Sequence, residues 1–189
     1  AAVIGLTLDE KGIPPTAEQR LAIARRILDR ALALGVKKED VYIDCLTLTA
    51  SAEQQGAAET LRAIRLVKEQ LGLKTVLGVS NISFGLPNRE LINHTFLAMA
   101  LASGLDLAII NPNVESMTGV MRAYQVLANL DKNAADYIAV YGKAAPSTKA
   151  ATPSAAMTLE QAIVSGLGQE AVALTRQHLK TMEPMAVVQ

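Results

Sequence analysis

The sequence predicts an α/β fold: parallel strand–helix units in series, followed by a C-terminal helical appendage. Three observations predict it. Four apolar runs of strand length recur along the first 141 residues. Each is followed by a helical stretch with an apolar stripe, and such alternation implies a parallel sheet with right-handed crossovers. After Tyr141 the composition shifts to Ala, Pro, Ser, Thr and Lys before a helical pattern resumes. An open doubly wound sheet and part of a (β/α)8 barrel both accept these units. Both bind ligands at the C-terminal ends of their strands.

Residues 2–8, Ala-Val-Ile-Gly-Leu-Thr-Leu, form the first strand. A continuous apolar run of this length suits a strand covered on both faces. Thr16 is the N-cap of the first helix, and Gln19 three positions on completes a capping box. Its stripe is Leu21, Ile23, Ala24, Ile27, Leu28, Ala31 and Leu34, and Gly35 ends it. Val41–Cys45 is the second strand, followed by a helix over about 57–71 that Gly72 closes. Lys74–Val79 is the third strand. Pro87 or Asn88 opens the third helix, which ends at Gly104. Leu105–Ile110 is the fourth strand, and 114–127 the fourth helix. Residues 131–141 extend that helix or add a short one. Residues 142–157, with Pro146 and Pro153, read as a linker. In 158–182, Thr158 caps a helix with Gln161 at the capping-box position, and Gly166 and Gly168 divide the segment into two short helices.

Composition excludes several function classes. Half the residues are apolar, and 18 basic residues balance 18 acidic ones. A nucleic-acid footprint needs a basic face, and a disordered chain needs low hydrophobicity with high net charge. The single cysteine, Cys45, allows no internal disulfide and no Cys-based metal centre. It fits a reducing, cytoplasmic setting. No apolar run nears the roughly 20 residues of a membrane span. The N-terminus carries neither a secretion signal nor an initiator Met, so the chain is expected to start partway into a longer protein.

The candidate functional residues lie at strand ends. Asp44 ends the second strand, where a carboxylate can accept two N–H donors from a ligand; a helix cap or end-of-strand ion pair is an equal reading. Asn81 follows Gly78-Val-Ser80. Its amide both donates and accepts, so it can follow a ring nitrogen through a change of protonation state. Asn also forms turns after strands. Gly78 permits close approach of backbone or ligand. Arg89 sits in the first turn of a helix, where a cation opposes the macrodipole; the plain alternative is a solvent-facing or ion-paired side chain. Asn111 lies at the ligand end of the fourth strand, and can cap the next helix or touch a ligand. Asp106, at the strand start, is structural. His94 and His178 lie far apart without ligand-spaced partners, so no metal site is expected. Cys45 reads as a small buried residue. Gly-rich phosphate motifs are absent. The residues suit a neutral polar heterocycle better than a phosphate.

Gly78-Val-Ser-Asn-Ile-Ser-Phe-Gly-Leu-Pro-Asn-Arg-Glu-Leu-Ile-Asn93, with Phe96-Leu97 and Gly104-Leu-Asp-Leu-Ala-Ile-Ile-Asn-Pro112, resembles the pterin-binding methyltransferase family. That family includes the folate domain of cobalamin-dependent methionine synthase and the methyltetrahydrofolate:corrinoid methyltransferases. Ile4-Gly-Leu-Thr-Leu-Asp-Glu-Lys-Gly-Ile-Pro-Pro15 and Tyr42-Ile-Asp44 match in the same order. The resemblance implies the second half of a (β/α)8 TIM-type barrel over 1–141. It implies methyl transfer from N5 of methyltetrahydrofolate to the Co(I) of cobalamin, or another corrinoid, on a partner protein or domain. By the same resemblance, Asn81 hydrogen-bonds near N5, Asp44 holds the ring's amide-like N–H groups, and Arg89 is the cation near the folate. Gly78 and Ser80 line the floor. Residues 158–189 look like the start of a helical cap that precedes a corrinoid-binding domain. Cys45 departs from the family, which usually has Pro after the acid. A half-barrel exposes two strand edges and an apolar face, so a homo-oligomer is expected. The alternative is a catalytically incomplete fragment that is stable only in such an assembly. A dihydropteroate synthase-like pterin binder would need more strand-end cations than Lys11 and Arg89.

Overall fold

The computed structural model describes residues 1–142, 158–164 and 168–180. The chain divides into two compact units, residues 1–144 and 145–189. The first carries β1 (Val3–Leu6), α1 (Ala17–Ala33), β2 (Val41–Asp44), α2 (Gln55–Leu66), β3 (Lys74–Gly78), α3 (Arg89–Ala102), β4 (Leu107–Ile109), α4 (Glu115–Leu127) and α5 (Ala135–Tyr141). The second carries α6 (Leu159–Val164) and α7 (Gly168–His178). Of the expected linker 142–157 only Gly142 is described, and Gly166 also lies outside the described residues.

The four strands are all parallel and lie in chain order, β1-β2-β3-β4. There is no reversal of strand order of the kind that defines a doubly wound sheet. Right-handed crossovers that always step the same way put the crossover helices α1, α2 and α3 on one face. Burial agrees. Val41, Ile43 and Cys45 alternate along β2 and are fully buried. They pack with Leu21, Ala24 and Leu28 of α1, Leu61 and Ile64 of α2, and Phe96, Leu97 and Leu101 of α3. Gly5, opposite Ile43 in the register, also faces the helices: a Cβ there would lie 2.5 Å from Cγ2 of Ile27 on α1.

The opposite sheet face is bare at both sides. Ile4 and Leu6 on β1 share a face with Tyr42 and Asp44 of β2, because register partners in parallel strands point the same way. Leu107 and Ile109 on β4 share it with Val76 and Gly78. Ile4 is 56% exposed and Ile109 59%. β1 was expected to be covered on both faces; among the described residues only the helix side covers it.

Local signals set most boundaries. Thr16 caps α1, its hydroxyl accepting from the Gln19 N–H at 3.4 Å. In the second unit the capping box is reciprocal: Thr158 Oγ1 accepts from Gln161 N–H at 3.2 Å, and Gln161 Oε1 from Thr158 N–H at 3.1 Å. The expected second helix runs as α2 and then a π turn, Val67–Leu71, before Gly72. Residues 135–141 form a separate short helix. β4 starts two residues later than expected. Leu105 instead closes α3 in a Schellman motif, its N–H bonding Ala100 O while that of Gly104, at φ 98°, bonds Leu101 O. Asp106 then accepts from Lys68 Nζ at 2.7 Å and from the Thr75 N–H at 2.7 Å, a structural role tying β3 and β4 to the π turn.

Candidate functional site

Because the strands are parallel, the loops after β1, β2, β3 and β4 emerge at one edge. Asp44, Gly78, Ser80, Asn81 and Asn111 lie at that edge or in the loops leaving it, and Arg89 opens α3 directly after the β3 loop. Asp44 is the last residue of β2 and sits on the bare face. Its Oδ1 accepts the Leu46 N–H at 2.8 Å. Partial burial raises the Asp44 pKa, and the Leu46 bond pulls it back to a smaller extent. Two donors from Thr7, its N–H at 3.1 Å and its hydroxyl at 3.0 Å, hold the Asp44 carbonyl. The Leu46 N–H thus holds one carboxylate oxygen while Thr7 fixes the backbone that carries it.

Gly78 ends β3, and Asn81 follows in a 3-10 turn, Val79–Ser83. A Cβ on Gly78 would stand 3.2 Å from the Asn81 side-chain nitrogen. The missing side chain is what lets the Asn81 amide lie back over the strand end. Asn81 is otherwise exposed. Ser80 contributes its carbonyl, which accepts from Arg89 Nη2 at 3.1 Å and from Ser83 Oγ at 3.2 Å. Arg89 Nε bonds Ser83 Oγ at 2.9 Å, and its guanidinium stacks 4.3 Å over the Phe84 ring. The cation expected near a ligand thus folds back over its own turn, beside Ser80. Asn111 is exposed and accepts the Asn113 N–H at 3.0 Å through its side chain, an Asx turn that leads toward α4.

The loops after β2 and β3 are bonded to one another. Ala50 N–H donates to Ile82 O at 2.9 Å, and Ser51 Oγ donates to Phe84 O at 2.7 Å. Gly85, at φ 77°, completes the contact; a Cβ there would lie 3.0 Å from Ser51 Oγ. Asp44 and Asn81 thereby belong to one connected scaffold.

Cys45 is buried on the helix side, and its thiol is pushed up to about 12 by burial, with the Asp44 charge adding to the effect. It is inert at neutral pH. No cluster of metal-ligating groups occurs among the described residues. An apolar groove of about 500 Å³ runs between β1 and α1, lined by Val3, Leu6, Ile23, Ile27 and Leu34, and none of the six candidate residues borders it.

Sequence reasoning missed Arg20 and Thr60. Both are fully buried and bonded to the Cys45–Leu46 segment directly after Asp44. The available signal was position: Arg20 lies three residues after Ala17 and four before Ala24, on the buried stripe of α1.

The family model for pterin-binding enzymes matches residues 11–111, which span β2, β3 and β4 and include all six candidate residues. The chain belongs to that family. Among its relatives, a methionine synthase of Mycobacterium leprae is 42% identical over 119 residues, covering 59% of this chain and 10% of the relative. A methionine synthase of Mycobacterium tuberculosis is 40% identical over the same length. A methylcorrinoid:tetrahydrofolate methyltransferase of Eubacterium limosum is 27% identical over 147 residues, covering 76% of this chain and 54% of the relative. The chain therefore spans about a tenth of the methionine synthases and about half of the corrinoid methyltransferase. No helix among the described residues is long and apolar enough to cross a membrane.

Proposed function

We propose that this chain forms one wall of a pterin site at which the N5 methyl group of methyltetrahydrofolate is transferred to the Co(I) of a corrinoid on another domain or protein. The observation that carries the reading is the Asn81 amide, lying against Gly78 on the same strand-end edge as Asp44, within a pterin-binding fold. N5 is a tertiary amine and a poor leaving group. It must gain positive character before the methyl can leave. An amide that donates and accepts can bond N5 both before and after it takes a proton, stabilising charge as it develops. Asp44, with one oxygen held by the Leu46 N–H, presents the other to the ring's N–H groups. Ser80 and Gly78 form the floor, and Arg89 sets the turn beside them while its cation stays near the folate. Asn111 closes the β4 side.

The sequential parallel sheet is the arrangement expected of the second half of a (β/α)8 barrel. The exposed Ile4, Leu6, Leu107 and Ile109 favour a second reading of the chain's state: a half-barrel whose bare face requires cover from another polypeptide, a second copy included. Residues 158–189 fit the beginning of a helical cap for a corrinoid domain. Calorimetry with methyltetrahydrofolate separates the readings. Micromolar binding that is lost in Asn81→Ala supports a self-sufficient site. Absence of binding in the unsubstituted chain favours the incomplete half-barrel. Binding unaffected by Asn81→Ala would sink the assignment of Asn81.

A further inference from the structure

Arg20 is a charged residue in the second turn of α1 that has no exposure to solvent. Burying a guanidinium is costly unless it is paired, and a carboxylate is the usual partner. Here every hydrogen-bond acceptor is neutral. Nε donates to Pro14 O at 2.9 Å. Nη1 donates to Cys45 O and Leu46 O, both at 3.1 Å, and to Thr60 Oγ1 at 2.8 Å. Nη2 is buried with no partner at all. Burial accordingly lowers the Arg20 pKa, with the nearby Cys45 and Glu59 charges opposing the shift. Glu59 is engaged elsewhere, capping α1 through the Ala17 N–H at 2.6 Å.

Such an arrangement costs stability and so calls for a reason. The two carbonyls Arg20 grips are the two that immediately follow Asp44. Leu46, a branched residue, is held at φ 57°, a conformation that L residues avoid. The Cys45 carbonyl shares one planar peptide with the Leu46 N–H, which bonds Asp44 Oδ1 at 2.8 Å. Thr60 supports the same point, lying 3.0 Å from Leu46 O while accepting from Arg20. Two elements converge on the strained turn, α1 through Arg20 and α2 through Thr60, while Pro14 O before α1 holds Arg20 Nε in place.

We propose that Arg20 is a positioning residue for Asp44. It clamps the Cys45 and Leu46 carbonyls so that the strained turn holds the Asp44 carboxylate toward the ligand edge. The inference rests on the pterin reading only for what Asp44 contacts; the clamp itself can be tested without any ligand.

Hydrogen exchange on the full chain, read residue by residue by NMR, provides that test. The Arg20→Lys variant keeps the charge but cannot span Pro14, Cys45 and Leu46 together. It is expected to speed exchange of the Leu46 amide by about tenfold or more, the scale of one charge-assisted hydrogen bond. The Thr75 amide, held by Asp106 on the far side of β3, should stay within about twofold of its original rate if the opening is local. An unchanged Leu46 rate, or equal acceleration at Leu46 and Thr75, would overturn the proposal. If Arg20→Lys does not fold, Thr60→Ala makes the same measurement, with a smaller acceleration confined to Leu46. Methyltetrahydrofolate binding is then measured on the same variants. Loss of binding alongside the Leu46 effect extends the clamp to function, whereas failure of the unsubstituted chain to bind bears on the pterin reading and leaves the exchange result standing.

Discussion

The substitution Gly78→Ala separates the fold from the proposed chemistry at a single carbon atom. Gly78 has φ −76° and ψ 90°, which alanine adopts without strain. Replacing glycine at such a position narrows the unfolded ensemble and stabilises by about 0.4–1 kcal/mol. Against this stands the new methyl, 3.2 Å from the Asn81 side-chain nitrogen, where ordinary contact begins at 3.4 Å. The amide must withdraw by at least 0.2 Å, the difference between those two distances. Asn81 is exposed, so nothing behind it resists. Stability should therefore remain within about 1 kcal/mol of the original, read as a urea midpoint with unchanged slope. The displaced amide no longer meets N5 in its best geometry. One neutral hydrogen bond is worth about 0.5–1.5 kcal/mol, roughly a twofold to twelvefold weakening of methyltetrahydrofolate binding. The methyl-transfer rate should fall further, because small misplacements act most strongly on the transition state. Calorimetry and single-turnover transfer to a reduced corrinoid protein make these measurements. A stability loss above about 2 kcal/mol with binding intact would refute the reasoning, since the methyl would then be colliding with the fold and not with a mobile amide.

Two further outcomes follow from the geometry. Burial raises the Asp44 pKa above its ordinary 3.8, so the stability it contributes is full while the carboxyl is protonated and is lost as pH rises through the raised value. Asp44→Asn should therefore gain stability relative to the original chain as pH rises above 3.8, seen as diverging urea midpoints, while pterin binding is lost; parallel midpoints would show that the carboxyl is not desolvated. Gly5→Ala drives a Cβ to 2.5 Å from Ile27 Cγ2, and the β-branched Ile27 is stiff at χ1. It should cost about 1–3 kcal/mol, partly recovered in the Gly5→Ala/Ile27→Ala pair; simple additivity in that cycle would count against direct contact.

What was legible in the sequence was mostly local. Thr16 with Gln19, Thr158 with Gln161, and Gly104 mark helix ends through bonds made within a few residues, so their residue types suffice. The strand ends placed Asp44, Gly78, Asn81 and Asn111 at one edge once the units were taken as parallel. What escaped depends on distant partners. The apolar run around β1 reads as a strand covered on both faces, and only the place of β1 at the sheet margin leaves Ile4 and Leu6 exposed. Leu105 reads as strand by composition, yet Ala100 claims its N–H for the end of α3. Nothing local marks Arg20, because its acceptors come from residues 14, 45, 46 and 60. The direction of Arg89 was equally hidden, since stacking on Phe84 and bonds to Ser80 and Ser83 turn it inward over the loop.

The two hydrogen bonds joining the loops after β2 and β3 bear on how a ligand would come and go. Ala50 to Ile82 and Ser51 to Phe84 make the two loops a single plate. A plate carries little freedom to surrender when a flat ring settles on it, so the entropic penalty of association falls on the ligand and on whatever closes from the other side. Substitutions that sever the Ser51–Phe84 bond are expected to free the two loops and so raise the ordering cost of seating a flat ring on them.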